Sequence, residues 1–287
     1  MNQNKIGIGT VQFGLKYGIN NSVGMVDENE VKKILNTASS HQIEIIDTAY
    51  VYGKSEEVLG SFDLKNFKVV SKLPPSATAE NTKQFFSESI HRLGVENLYG
   101  YIFHDFGTYE KDKKCWQILE QLKQENSVKK IGFSLYTPSQ LQTIIDDKLK
   151  IDLLQIPFNI LDRRFYPYLN LLADKGVEIH VRSVFLQGLF FVEIEKLNPF
   201  FAPIANVLAA IKKIATDEKI TVAELALQYV LHHSAINKLI LGLETVNNLA
   251  ANIQAINQPE ISKNSLEKLM QLPIVDEQFL MPNLWKI

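Results

Sequence analysis

The chain has 287 residues, is 46% hydrophobic and carries 30 basic against 32 acidic residues, which suits one large core and argues against a general nucleic-acid binder, which would show a basic excess. Its single cysteine, Cys115, rules out an intrachain disulfide. The opening MNQNKIGIGT lacks a signal-peptide core and no run approaches the ~20 apolar residues of a membrane span, so the expectation is a soluble cytoplasmic chain, with no nucleic-acid or membrane partner, monomeric or weakly homo-oligomeric.

In chain order, short β-rich apolar runs alternate with amphipathic stretches. KIGIGT (5–10) comes first, then DENEVKKILNTASSHQ, which puts Val31, Ile34, Leu35 and Ala38 on one helical face. IEIIDT (43–48) stops at a carboxylate and runs into AYVYGKSEEVLG. FKVVSK (67–72) precedes ENTKQFFSESIHRLG, whose closing Gly94 suits a helix C-cap. LYGYIFH (98–104) leads into an irregular stretch at 104–112. A helix follows around KDKKCWQILEQLK, where Cys115 reads as a half-buried packing thiol rather than a nucleophile. VKKIGFS (128–134) precedes TPSQLQTIIDDK, with Thr137 as N-cap and Pro138 at the first helical position. IDLLQI (151–156), VEIHVRS (177–183) and KLILG (238–242) complete the eight runs. The stretches 183–202 and 271–287 read as irregular. His232 and His233 are neighbours on a helix with no carboxylate at ligand spacing, which suits a surface pair and no metal site.

Eight strands alternating with helices match a (β/α)₈ barrel. The runs are nearly all apolar, as parallel strands covered on both faces should be. No linker divides the chain, so residues 1–287 read as a single α/β barrel domain with the tail 271–287 closing a pocket. A doubly wound sheet competes, but GIGTVQFG has Gln12 where the third glycine of a dinucleotide fingerprint belongs.

Chemistry in a barrel gathers at the C-terminal strand ends. Those ends carry Asp47, leading to Tyr50 and Tyr52, then Lys72, His104 and Ser134. Gln155 follows with Asn159 beyond it, then Arg182 and Ser183. Singly each could be structural; together Asp, Tyr, Lys and His form a titratable cluster. A phenol ionises near 10, and an adjacent ammonium is expected to lower that value. A carboxylate keeps the ammonium charged, and a histidine orients a substrate oxygen. Such a set can protonate a carbonyl oxygen as a hydride reaches its carbon.

DTAYVYGKSEEVLG resembles the aldo/keto reductase signature, and VVSKL, YIFHD, KKIGFSLYTPSQL, LLQIPFNILDRR and LILGLETVNNLAANIQA resemble later segments of that family in the right order. The resemblance implies Tyr52 as general acid–base tuned by Asp47 and Lys72, with His104 polarising the carbonyl and Tyr50 a bystander. It implies NADP(H) or NAD(H) as cofactor and a small-molecule carbonyl substrate, with a sugar among the candidates. Ser134 and Gln155 would hold the nicotinamide carboxamide. Arg182, Ser183, Gly242, Glu244, Thr245, Asn248 and Asn252 would complete the cofactor site, Asn252 at the adenine end.

Three departures matter. Leu135 replaces the family's asparagine, so carboxamide anchoring is expected to be looser or shared with Asn159. Arg182 stands where an aromatic ring stacks on the nicotinamide. Its charge either favours the reduced cofactor or binds an anionic substrate or a buried carboxylate. Glu244 and Asn248 replace cations that grip a 2′-phosphate, which leans toward NAD or dual use, although the Thr245 and Val246 amides could still hold a phosphate. The loop 104–112 and the tail around Trp285 are expected to wall the pocket, with Asp105 and Tyr109 bonding hydroxyls of a sugar or polyol. GTVQFGLKYGINN and RSVFLQGLFF resemble a bacterial branch associated with surface-sugar pathways. Two rivals stand beside the reductase: a Schiff-base aldolase using Lys72, and a non-catalytic cofactor-binding module or redox sensor.

Overall fold

In the computed structural model, which describes residues 2–19, 21 and 24–285, the eight apolar runs form eight strands closed into a barrel in sequence order. Asn20, in GTVQFGLKYGINN, and Lys286 and Ile287, at the end of the tail, lie outside the described residues. The strands are β1 (Ile6–Gly9), β2 (Ile45–Asp47), β3 (Lys68–Leu73), β4 (Leu98–Phe103), β5 (Val128–Ser134), β6 (Leu153–Pro157), β7 (Glu178–Arg182) and β8 (Lys238–Gly242). All neighbours are parallel, and β8 closes on β1 with Gly242 beside Gly9. The chain is a single-domain (β/α)₈ barrel, as the alternation of runs predicts.

The helices are α1 (Val11–Gly14), α2 (Glu28–Ser40), α3 (Ser55–Gly60), α4 (Thr82–Leu93), α5 (Phe106–Lys111), α6 (Lys114–Gln124) and α7 (Pro138–Asp146). After them come α8 (Leu169–Asp174), α9 (Ala205–Glu218), α10 (Val222–Leu231), α11 (Val246–Ile256), α12 (Lys263–Met270) and α13 (Glu277–Leu280). Among the described residues none is long and apolar enough to cross a membrane. Local chemistry sets their ends. Asp27 caps α2 through the Asn29 and Glu30 amides, and Val31, Ile34, Leu35 and Ala38 form its buried stripe. Gly94 ends α4 in a left-handed conformation. Thr137 and Gln140 make a capping box on α7, with Pro138 in its first turn.

A large apolar layer fills the space between strands and helices. Val70, Ile102 and Leu153 make a separate, fully buried cluster. Val70 and Ile102 lie two residues before Lys72 and His104, on the same strand faces, so apolar packing fills the barrel beneath those polar groups.

Some local expectations differ. The 104–112 stretch is not irregular: Asp105 Oδ1 accepts the Gly107 N–H at 2.9 Å and caps α5. The stretch after β7 folds into three 3₁₀ turns, at Leu186–Phe191, Ile194–Lys196 and Pro199–Ile204. Cys115 is wholly buried rather than half-buried. His232 caps α10 and is exposed, whereas His233 is half-buried. Its ring packs between Phe158 and Tyr229, 5.0 and 5.2 Å away, and burial, then His232, holds its pKa down to about 4.

Candidate active site

A cavity of about 690 Å³ opens at the C-terminal mouth and extends past β8 to Ala223 on α10 and to Asn248, Ala251 and Asn252 on α11. Three strand ends and one turn meet at its floor. Asp47 ends β2, Lys72 lies near the end of β3, and His104 follows β4. Lys72 Nζ donates to Asp47 Oδ1 at 2.6 Å and to the Thr48 carbonyl at 2.8 Å, and reaches Tyr52 Oη at 3.5 Å. Gln155 Nε2 donates to the other Asp47 oxygen at 2.7 Å. The His104 ring meets the Tyr52 ring edge-on, centroids 5.5 Å apart. Asp47, Tyr52, Lys72 and His104 are thus brought together as their strand-end positions predict.

The turn that delivers Tyr52 explains the Tyr-Gly pair. Gly53 has φ +56, and a Cβ there would stand 2.4 Å from the Gly14 carbonyl. A Cβ on Gly14 would lie 1.9 Å from the Tyr52 carbonyl. The two backbones can approach only if both residues are glycine.

Protonation follows from burial set against charge. Burial opposes the Lys72 ammonium, but Asp47 and Tyr52 outweigh it and raise the Lys72 pKa. For Tyr52 the balance is the reverse of the sequence expectation. Burial raises its pKa more than Lys72 and Arg182 lower it, so the phenol stays above its ordinary 10.0. Stripping water from a phenolate costs more here than one ammonium at 3.5 Å returns. The Tyr52 phenol is therefore protonated across the neutral range. Burial, then Lys72 and Arg182, push His104 down to about 3, so its imidazole is neutral.

Ser134, Gln155, Arg182, Ser183, Gly242, Glu244, Asn248 and Asn252 all line the cavity. Thr245 does not: its Oγ1 accepts the Asn248 N–H at 3.1 Å and caps α11. The amides expected to await a phosphate are also engaged. Thr245 N–H donates to Asn248 Oδ1 at 3.0 Å, and Val246 N–H donates to Glu30 Oε1 at 2.7 Å. The Asn159 side chain is engaged by the protein itself and does not line the cavity. Its Oδ1 accepts the Leu161 and Asp162 amides, and its Nδ2 donates to the Ser183 carbonyl at 2.9 Å.

The expected walls are different too. Asp105 is the α5 cap, and Tyr109 is buried and donates to Asp147 at 2.6 Å, so neither faces the cavity. Trp285 packs edge-on against Phe201 and donates to the Phe279 carbonyl, and the tail reaches the cavity through Pro282. Tyr50 donates to Glu88, with the Arg92 guanidinium over its ring, away from the cavity.

Several lining residues carry no signal in the sequence reading. Tyr136 supplies an aromatic face beside Arg182, whose guanidinium lies 4.1 Å from its ring centroid. Tyr17 accepts from Gln187 Nε2 at 2.7 Å, joining the loop after α1 to the loop after β7. Gln12 lines the cavity with a buried, unpartnered Oε1, and His104 Nδ1 is likewise buried and unpartnered. These orphaned polar atoms in an elongated cavity fit a polar ligand as long as a dinucleotide.

Known proteins resemble the chain along its length. The sequence model of the aldo/keto reductase family matches residues 5–273. The oxidoreductase YqkF of Bacillus subtilis (strain 168) is 24% identical, the match covering 92% of this chain and 91% of that protein. L-galactose dehydrogenase of Arabidopsis thaliana is 26% identical, over 88% of this chain and 86% of that protein. Among solved structures, the aldo-keto reductase AKR11C1 of Bacillus halodurans superposes with a TM-score of 0.78 at 19% identity, covering 96% of this chain and 95% of that one. The match over nearly the whole sequence, together with the closed eight-stranded barrel, establishes that this chain is an oxidoreductase-type barrel protein belonging to the aldo/keto reductase family.

Proposed function

We propose that this protein reduces an aldehyde or ketone to an alcohol with a nicotinamide dinucleotide, and that Tyr52 donates the proton. The observation that carries the reading is the Asp47–Lys72–Tyr52 chain at the cavity floor, with contacts of 2.6 and 3.5 Å. A reduced nicotinamide, when bound, supplies the hydride. As the carbonyl carbon accepts it, the oxygen takes the Tyr52 proton, and the phenolate left behind faces the Lys72 ammonium. Neutral His104 donates a hydrogen bond to the same oxygen and fixes its direction. Asp47, shared between Lys72 and Gln155, keeps the ammonium charged and aimed. The raised Lys72 pKa works against a Schiff-base aldolase, which needs a free amine.

On this reading the arm of the cavity toward α11 would hold the cofactor. Ser134 would meet its nicotinamide, Ser183 and Gly242 its middle, and Glu244, Asn248 and Asn252 its adenosine end. Gln155 acts chiefly through Asp47. Tail residue Pro282 walls one side.

The reading favours NAD(H). Glu30 brings its own carboxylate to the α11 N-terminus, and Glu244 adds a second. Both repel a 2′-phosphate, whereas Glu244 can accept bonds from a ribose hydroxyl. Similarity to L-galactose dehydrogenase keeps a sugar among the carbonyl substrates.

The test is NADH and NADPH oxidation with a panel of aromatic and sugar aldehydes. Wild type turns over at least one. Tyr52→Phe loses about 10²- to 10⁴-fold in kcat while still binding dinucleotide; full turnover by that variant sinks the assignment. In fluorescence titrations NADH binds more tightly than NADPH, and Glu30→Gln narrows the gap about tenfold, the scale of one charge at a helix end.

A further inference from the structure

Among the described residues Arg182 is the one Lys or Arg in the cavity lining. Its guanidinium stacks on Tyr136, 4.1 Å from the ring centroid. Nη2 donates to the Leu135 carbonyl at 3.1 Å, and Nη1 lies 3.5 Å from Ser183 Oγ. A guanidinium carries five N–H donors, so these contacts leave most of the fork free. Among the described residues no carboxylate is ion-paired with it. Asp47 is held by Lys72 and Gln155, and Glu244, on the loop after β8, has no such contact with Arg182.

A half-buried cation without a counter-ion is costly to keep. The backbone that follows it is costly too. Ser183, Leu186 and Gln187 have φ of 59, 47 and 52, left-handed conformations that non-glycine residues hold only when their surroundings impose them. The surroundings are visible: wholly buried Asn159 grips the Ser183 carbonyl at 2.9 Å, directly after Arg182. The charge also reaches the reacting groups, since Arg182 lowers the pKa of both Tyr52 and His104.

We propose that Arg182 is a substrate anchor, clamped flat by Tyr136, and that the carbonyl compound reduced here carries an oxyanion, a carboxylate or a phosphate, a few bonds from its carbonyl. This rests on the reductase reading of the same cavity. The planar fork suits either oxyanion through paired N–H donors. An anion held there places its carbonyl beside Tyr52 and His104, and supplies the counter-charge that the protein does not.

The experiment compares matched neutral and anionic carbonyls: butanal against 4-oxobutanoate, and glycolaldehyde against its phosphate. Wild type, Arg182→Gln, Arg182→Lys and Tyr52→Phe are assayed with each. The wild-type kcat/KM favours an anionic member over its neutral partner by about tenfold or more, and the preferred pair identifies carboxylate or phosphate. Arg182→Gln lowers that anionic-to-neutral ratio about 10- to 100-fold, chiefly through KM, on the scale of a lost charged hydrogen bond. Arg182→Lys recovers part of it. Dinucleotide titrations of the same variants show which ligand the arginine serves.

A wild type blind to charge, or a glutamine variant that lowers neutral and anionic substrates alike, overturns the anchor. So does a glutamine variant whose main loss is dinucleotide affinity. Turnover that depends on Tyr52 but ignores substrate charge sinks the anchor alone. No turnover of any carbonyl, or turnover indifferent to Tyr52→Phe, sinks the reductase reading and the anchor with it.

Discussion

Two clusters at opposite ends of one barrel are made from the same four chemistries. Asp47, Tyr52, Lys72 and His104 stand at the mouth; Glu178, Tyr99, Lys130 and His180 stand toward the N-terminal ends of β7, β4 and β5. In the lower cluster every donor converges on the carboxylate. Tyr99 donates to Glu178 Oε2 at 2.6 Å, His180 Nε2 lies 2.6 Å from Oε1, and Lys130 pairs with Oε2. Burial would raise the Glu178 pKa, but those three partners outweigh it and hold the carboxyl well below its ordinary range. Burial and the carboxylate together push the Tyr99 phenol far up. None of the four lines the cavity. At the mouth the carboxylate takes Lys72 and Gln155 instead, and the phenol faces an ammonium and open space. The inventory of titratable residues therefore does not distinguish a plug from an acid–base device. What distinguishes them is whether the phenol's proton is already committed and whether a ligand can reach it.

Replacing the two lysines separates the clusters most strongly. Lys72→Met removes the charge that steadies the Tyr52 phenolate and leaves Asp47, its side chain 4% exposed, without a cation. The expected losses are about 10²-fold or more in kcat/KM for carbonyl reduction and roughly 3–5 kcal/mol in folding stability. Lys130→Met leaves Glu178 with two other donors, so it costs about 1 kcal/mol and leaves kinetics intact. Equal kinetic damage from both variants breaks the distinction.

Glu178→Gln probes the lower cluster by pH. The folded pKa of Glu178 lies below its ordinary 4.5. Its stabilisation is therefore complete above that value and is lost as pH falls through the acid range toward the folded value. The glutamine variant should be less stable at pH 7 by about 3 kcal/mol, with a smaller deficit at pH 3.5. Urea midpoints at the two pH values measure this, and a deficit that ignores pH refutes the charge account.

Tyr99→Phe has a smaller effect. It deletes one hydrogen bond to a carboxylate that keeps two, costing about 1.5 kcal/mol, the low end for a bond to a charged group. The same change at Tyr52 should act on turnover and hardly on stability. Thermal melts and steady-state rates on both variants check the contrast.

Much of the upper cluster is legible in the sequence, because each member stands where an apolar run ends and strand order fixes which ends meet. Asp47, Lys72 and His104 need no long-range information beyond the barrel itself. The lower cluster is not legible: Tyr99, Lys130, Glu178 and His180 sit inside strand runs, and only register brings them to one carboxylate. Glu30 is hidden for another reason. It lies in the first turn of an ordinary amphipathic helix, and its partner amide is 216 residues away. Tyr136 stands just before the Thr137 cap, and only folding shows Arg182 lying on its ring. The sign of the Tyr52 shift was beyond sequence too. It depends on how far burial at the barrel mouth outweighs the Lys72 and Arg182 charges, which no local pattern reports.

The smallest expected effect is an absence of change, and it sharpens the contrast further. With His104 held near 3, its imidazole is uncharged throughout the neutral range. With Tyr52 above 10.0, the proton donor is fully present below that value and is lost only as pH rises through it. Lys72 is raised as well, so the ammonium persists over the same interval. The kcat/KM for carbonyl reduction should then be level from about pH 5 to 8, where an ordinary histidine near 6.5 would bend it, and should fall on the far alkaline side. Acid unfolding, governed in part by Glu178, would appear as lost stability rather than as a kinetic ionisation. A break in the rate profile near pH 6.5 that disappears in His104→Gln would show that the mouth histidine carries charge, and that its role is proton transfer rather than orientation of the carbonyl.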